Sequence, residues 1–296
     1  MKNVNIRALY AGFALLIGAY DISTQAATIV TAKPALKSSC AVGSGTITVV
    51  QGSITEQTNV DAVVNAANMG LIAGGGIYGY INQAAGPQLQ RYIREHFKPV
   101  STQAITQFKR TYNPQSDYDS SADGGWPMSN NYLTVNAPDQ LYVLPGNAVV
   151  TPAFNMNCPG STNESESLPL YIIHAVAPIY TFYSPVNAEK LMYNAIFNSI
   201  ALAHKYNLTG IAIPPIGTGI YGYPFTLQDV TNETNSTLPK ITDAQTASYV
   251  QIQAAIDYLQ RNKQTSVKNI RFVAYEEDQV TGYQTALTAL CLKKLS

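Results

Sequence analysis

Two glycine-rich stretches hold the residues best suited to chemistry. Residues 61–86 read DAVVNAANMGLIAGGGIYGYINQAAG, and residues 211–224 read IAIPPIGTGIYGYP. In each, a short apolar run opens into a glycine cluster. Glycine allows positive φ and close backbone approach, so the N–H groups of Gly74, Gly75 and Gly76 can converge on an anion. A helix beginning after them adds the positive end of its dipole. Gly217, Thr218, Gly219, Ile220 and Tyr221 offer a second set of amides. Neither stretch contains Lys or Arg, so an anion held here would be held by backbone dipoles. Open α/β sheets bind ligands beyond the C-terminal ends of their strands. Two such loops facing each other could therefore wrap a diphosphate from both sides. A single glycine pair usually makes only a turn; two long glycine loops, each directly after a buried strand, call for more than turns.

Gly74, Gly76 and Gly79 also match G-x-G-x-x-G, the dinucleotide fingerprint. A Rossmann unit needs a short crossover to the next parallel strand. Here the helix runs instead into a long polar stretch, so the motif alone does not establish that fold. Other chemistry-bearing residues have plainer readings. His174 lies inside an apolar strand (YIIHAV) and reads as a core histidine, and Glu276, Glu277 and Asp278 read as a solvated turn. The three histidines, His96, His174 and His204, show no metal-ligand spacing. Three cysteines, Cys40, Cys158 and Cys291, are too few for a metal cage. In an oxidising compartment one pair could bridge, and spacing does not choose which. G-x-S-x-G, P-loop and H-E-x-x-H patterns are absent from the sequence.

The elements that must position these loops follow from the rest of the chain. The first 27 residues have a basic start (Lys2, Arg7), an apolar run over 8–20 and a polar, small-residue end at Ala26 and Ala27. That is the pattern of a cleaved signal peptide, and the run is short for a membrane span. It implies a secreted or periplasmic protein with no stable membrane anchor after cleavage. Residues 28–44 read as a linker. Strands are expected at 46–50, 61–64, 147–151, 171–176, 210–213 and 269–275. Helices are expected at 78–96 (interrupted by Gly86 and Pro87), 187–206, 244–262 and 281–295. Alternation of strands and helices means an α/β fold with a largely parallel sheet. Residues 98–140, polar and holding the lone Trp126, read as an insertion. Formal net charge is zero and charged residues are 12% of the chain, so attraction to a nucleic acid polymer has no support.

The order GSIT, DAVVNAAN, GGGIYG, AAGP, IIHAVAP and IPPIGTGIYGYP resembles the macrodomain family over about 47–290. The resemblance implies a three-layer α/β/α sandwich with a mixed, largely parallel sheet, occupying 45–296 with the polar insertion as an extra. It implies ADP-ribose, or ADP-ribosylated protein, as the ligand, with no cofactor or metal. Carried over residue by residue, Asn68 would bond the distal ribose and is the one catalytic candidate. Gly74, Gly75, Gly76 and Ile77 would hold the phosphates from one side, and Gly217, Thr218, Gly219, Ile220 and Tyr221 from the other. Ser53 and Ile54 would meet the adenine, Ile54 through its N–H, and Tyr275 would stack on the ring. Three departures stand out. Ser53 replaces an Asp usual in the family. Tyr78 occupies the place of the Asp that helps activate water in its best-known hydrolases, and a phenol with a pKa near ~10 is a poor general base at neutral pH. Asn82 and Gln83 stand where those hydrolases commonly carry His and Arg. The expectation is therefore a binding protein, with an ADP-ribosyl hydrolase or an ADP-ribose-1″-phosphate phosphatase working without that Asp as the alternative.

Overall fold

The computed structural model describes residues 35–113, 141–157, 167–232 and 242–292. The leader (1–27), Trp126, Cys158 and most of the polar insertion lie outside the described residues. Seven strands form one sheet: β1 Ala35–Val42, β2 Gly45–Gln51, β3 Ala62–Ala67, β4 Ala148–Pro152, β5 Tyr171–Val176, β6 Gly210–Ile213 and β7 Asn269–Ala274. Their order is β1-β2-β7-β6-β3-β5-β4. The five inner strands are mutually parallel, and each edge strand is antiparallel to its neighbour. The sheet is thus mixed and largely parallel, as expected.

The burial pattern explains this arrangement. β6 is buried at every position and β5 at all but its first, the near-continuous apolar signature of strands covered on both faces. The helices are α1 Gly76–Ala85, α2 Pro87–His96, α3 Thr102–Tyr112, α4 Pro185–Lys205, α5 Leu227–Asn232, α6 Ala247–Arg261 and α7 Glu277–Leu292. α1 and α2 follow β3 on the way to β5, whereas α4 and α6 serve connections running the other way across the sheet. Right-handed crossovers then place the two groups on opposite faces. α4 packs on α6, and α6 on α7. Asp61 ties two strands together at their starts: its Oδ2 accepts from Thr209 N, Thr209 Oγ1 and Gly210 N.

Three local readings change. The linker 28–44 contains β1, which pairs with β2 from Ala35↔Gln51 to Val42↔Gly45. Its sequence, ALKSSCAV, lacks β-branched runs, because an edge strand gains its stability from pairing more than from propensity. The stretch 98–140 opens with an ordered helix, α3, capped by Ser101 and burying Ile105 and Phe108. The carboxylates at 276–278 are exposed as expected, but Glu277 and Asp278 form the first turn of α7 rather than a free turn, where acidic residues favour the helix dipole.

Candidate functional site

Parallel strands deliver their C-terminal ends to one edge of the sheet. β2 ends at Gln51, β7 at Ala274, β6 at Ile213, β3 at Ala67 and β5 at Val176. The segments that follow carry Ser53 and Ile54, Tyr275, Gly217 to Tyr221, and Asn68 to Ile77. Every site residue expected from sequence therefore lies along the same edge, although the residues are more than two hundred positions apart.

The first loop (residues 68–75) is folded on itself. Asn68 Oδ1 accepts from Ile72 N at 3.0 Å, and Asn68 Nδ2 donates to Ile72 O at 2.7 Å. Its carboxamide thus closes the turn that Leu71, at φ 49°, must make. Asn68 keeps one amide hydrogen for a ligand. Met69 O accepts from Tyr142 N, and Leu71 O from Gln90 Nε2. With the carbonyls engaged elsewhere, the chain enters α1 through the Gly75 N-cap. The N–H groups of Gly76, Ile77 and Tyr78 are in the first helical turn and lack intrahelical acceptors.

The second loop (residues 214–224) is tied differently. Gly217 O accepts from Tyr223 N (3.0 Å), Gly219 O from Gly222 N (2.8 Å) and Tyr221 O from Tyr180 N (2.8 Å). Among the described residues, the N–H groups of Gly217, Thr218, Gly219 and Ile220 find no acceptor. Consecutive unpaired amides of this kind form an anion-binding concavity.

The glycines sort by what a side chain would meet. A Cβ on Gly75 or Gly219 would have nothing within 4 Å, so these positions border open space. A Cβ on Gly79 would lie 2.6 Å from Gly74 O. Gly217, at φ +74°, would place one 2.7 Å from Ala177 Cβ and 2.8 Å from Met192 Cε. Gly79 and Gly217 therefore shape the loops, and Gly75 and Gly219 keep room between them and a ligand.

At the other end of the edge, Ser53 Oγ accepts from Thr55 N and pairs with Thr55 Oγ1, capping a 3₁₀ turn, Ile54–Glu56. The Ser53 hydroxyl is thus engaged by its own loop. Gln57 Nε2 donates to Ser53 O at 2.7 Å, and Arg271 Nη1 donates to Gln57 Oε1 at 3.0 Å. Because C=O and N–H point oppositely across a trans peptide, the Ile54 N–H faces away from Gln57. Tyr275, 71% exposed, and Ile220, 75% exposed, leave large apolar surfaces open along this edge.

Tyr78 does not enter the site. It is buried, receives a 3.4 Å hydrogen bond from Gln90 Nε2 and packs edge-on against the His174 ring. Burial raises its pKa above the ordinary tyrosine value. His174 is a core residue, bonded through Nδ1 to Asn65 and through Nε2 to Thr151, each at 3.0 Å, and burial holds its pKa down to about 3. Neither group can exchange protons with a ligand at neutral pH. A cleft of about 750 Å³ is lined by Thr218 and Gly219 of the second loop and by Asp229, Asp243 and Asp278; the three carboxylates disfavour phosphate on that wall. Among the described residues no cluster of His, Cys, Asp or Glu is placed to hold a metal. Sequence reading missed Gln57 and Gln251, which are buried, and the half-buried Gln90, whose side-chain amides hold loop carbonyls; the partners of Gln90 and Gln251 are distant in sequence, so no local pattern marks them.

Comparison with known proteins shows the family. The family model described as Macro domain matches residues 64–112 and 130–230. This chain belongs to the macrodomain family. Over 243 residues it is 30% identical to a macro domain-containing protein of Listeria monocytogenes, covering 82% of this chain and 97% of that one. It is 29% identical to a Cronobacter sakazakii protein named O-acetyl-ADP-ribose deacetylase, covering 82% and 94%. A structure of the Oceanobacillus iheyensis macrodomain with ADP superposes with a TM-score of 0.59 at 25% identity, covering 88% and 99%. The macrodomain match begins again at residue 130, and α3 falls within its first segment.

Proposed function

We propose that this macrodomain is an exported binder of ADP-ribose or of ADP-ribosyl groups on proteins. The observation that carries the reading is two rows of unpaired amides beyond the same edge of the sheet, from Gly76 to Tyr78 and from Gly217 to Ile220, with open space beside Gly75 and Gly219. Such a cradle suits a diphosphate, with Ser53, Ile54 and Tyr275 at the adenine and Asn68 at the distal ribose. Related macrodomains whose structures hold ADP support the same ligand class. Export is supported by the leader and by the Cys40–Cys291 disulfide, since disulfides persist in oxidising compartments. Action on another cell's ADP-ribosylated proteins would follow from that location. Titration calorimetry with ADP-ribose tests the core of the proposal; absence of heat at millimolar ligand overturns it. Sequencing the N-terminus of the protein recovered outside the cytosol, expected at Ala27 or Thr28, tests export.

A second reading, removal of an acyl or ADP-ribosyl group, is favoured by the deacetylase relatives. Tyr78 is turned into the core, so catalysis would rest on Asn68, the loop amides and the substrate's own phosphate rather than on a side-chain base at position 78. Incubation with O-acetyl-ADP-ribose, with ADP-ribose-1″-phosphate and with mono-ADP-ribosylated protein separates the two. Measurable binding with unchanged substrates leaves only the binder.

A further inference from the structure

The second loop leaves β6 through Pro214, Pro215 and Ile216, and the Ile216 carbonyl is held by a side chain from another layer. Gln251 of α6, fully buried, donates from Nε2 to Ile216 O at 3.1 Å. Its Oε1 accepts from Tyr283 OH of α7 at 2.7 Å, and Tyr283 is itself fully buried. The carboxamide is therefore fixed in one orientation, with its donor aimed at the loop and its acceptor at α7.

The next residue makes this contact consequential. Gly217 has φ +74°, and glycine populates positive and negative φ with similar ease. The peptide between Ile216 and Gly217 has no side-chain bulk on its C-terminal side to prevent rotation. A rotated peptide would present a carbonyl oxygen, with its partial negative charge, where the Gly217 N–H now begins the row of unpaired amides. Among the later carbonyls of the loop, those of Gly217, Gly219 and Tyr221 accept from backbone N–H groups; Ile216 O is held by the Gln251 side chain.

We propose that Gln251, braced by Tyr283, is a positioning residue for the diphosphate cradle: it fixes the Ile216 carbonyl inward and so keeps the Gly217 amide turned to the ligand. This rests on the diphosphate-binding reading above. It also gives a buried polar pair, at a place where apolar packing would satisfy the core, a role in the site.

Two variants test it. Gln251→Met removes the donor. Gln251→Met/Tyr283→Phe also removes the brace, so no phenol is left unpaired in the core. Affinities for ADP and for inosine diphosphate are measured by calorimetry, since both nucleotides carry the same diphosphate but differ at the base edge that the Ile54 N–H would read. Both variants are expected to bind each nucleotide about tenfold more weakly, with the ADP to inosine diphosphate ratio unchanged. Undiminished affinity overturns the proposal. So does loss of the ratio along with affinity, which is the mark of general loosening. A crystal structure of the double variant without ligand gives an independent check. It is expected to show the Ile216–Gly217 peptide rotated; a carbonyl still facing α6 overturns the proposal whatever binds. Failure of the unaltered protein to bind ADP would instead remove the functional reading and leave the peptide question to that crystal structure.

Discussion

The two loops of the site reach the same chemical end by different means. The first is organised mainly by its own neighbourhood: Asn68 closes a turn onto Ile72, Gln90 caps Leu71 O, and α1 begins at once. The second is held from afar, by Gln251 of α6 and by the Tyr180 backbone beyond β5. The lesson is that a row of outward-facing amides needs its carbonyls occupied on the other side. The first loop uses Asn68, Gln90 and the Tyr142 backbone, and the second uses its own Gly222 and Tyr223 amides together with Tyr180 and Gln251; the root of the second loop hangs on a fully buried side chain from another layer. The second loop should therefore be the more sensitive to changes elsewhere in the fold.

The largest expected effect comes from the disulfide. Cys40 of β1 and Cys291 of α7 are bridged across 251 positions, with Cα atoms 6.5 Å apart. The bridge holds down the helix that carries Tyr283. Cys40→Ser/Cys291→Ser should lower stability by about 4 kcal/mol in chemical denaturation. It should also raise amide exchange in residues 216–222 more than in residues 68–77. Equal exchange in both loops would erase the contrast between them.

Next is Gly217→Ala, which forces a side chain into positive φ and against Ala177 and Met192. A loss of about 3 kcal/mol is expected. Gly79→Ala meets only Gly74 O and should cost less, about 2 kcal/mol; thermal melts of the two rank them. By contrast Gly75→Val/Gly219→Val places both side chains in open space. Its melting should match the parent within error while ADP-ribose affinity falls at least ~100-fold, about 2.7 kcal/mol. Full-strength binding by this folded variant would place the ligand elsewhere.

The effect that is smallest at neutral pH belongs to the core beneath the first loop. His174 is held neutral in the fold down to about pH 3, against about 6.5 when unfolded. Between those values the unfolded chain takes up a proton that the folded one refuses, so stability falls as pH drops through the window and is independent of this group above it. His174→Gln should flatten the stability profile between pH 6.5 and 3. An unchanged slope would assign the acid sensitivity to other groups.

Much of this was legible in the chain alone. Buried runs such as DAVV, YIIHAV and GIAI, alternating with apolar helical spacing, specified a largely parallel sheet, and glycine clusters after two of those strands marked the proposed anion cradle. Gly75 and Gly219 could be named because strand-then-glycine is a local pattern, and Asn68 because the family resemblance carries it over. What stayed hidden depended on contacts between distant positions. β1 looked like a linker because an edge strand is stabilised by its partner. The cysteine pair was undecided because spacing carries no distance in space. Ser53 and Tyr78 could be read as facing the ligand until the fold engaged one hydroxyl in a turn and buried the other side chain beside His174. Sequence alone determined the strands and the glycine clusters between them, because periodicity and backbone freedom are properties of short segments. Only tertiary structure decided which way the Leu71 and Ile216 carbonyls point, because Gln90 and Gln251 reach them from separate helices.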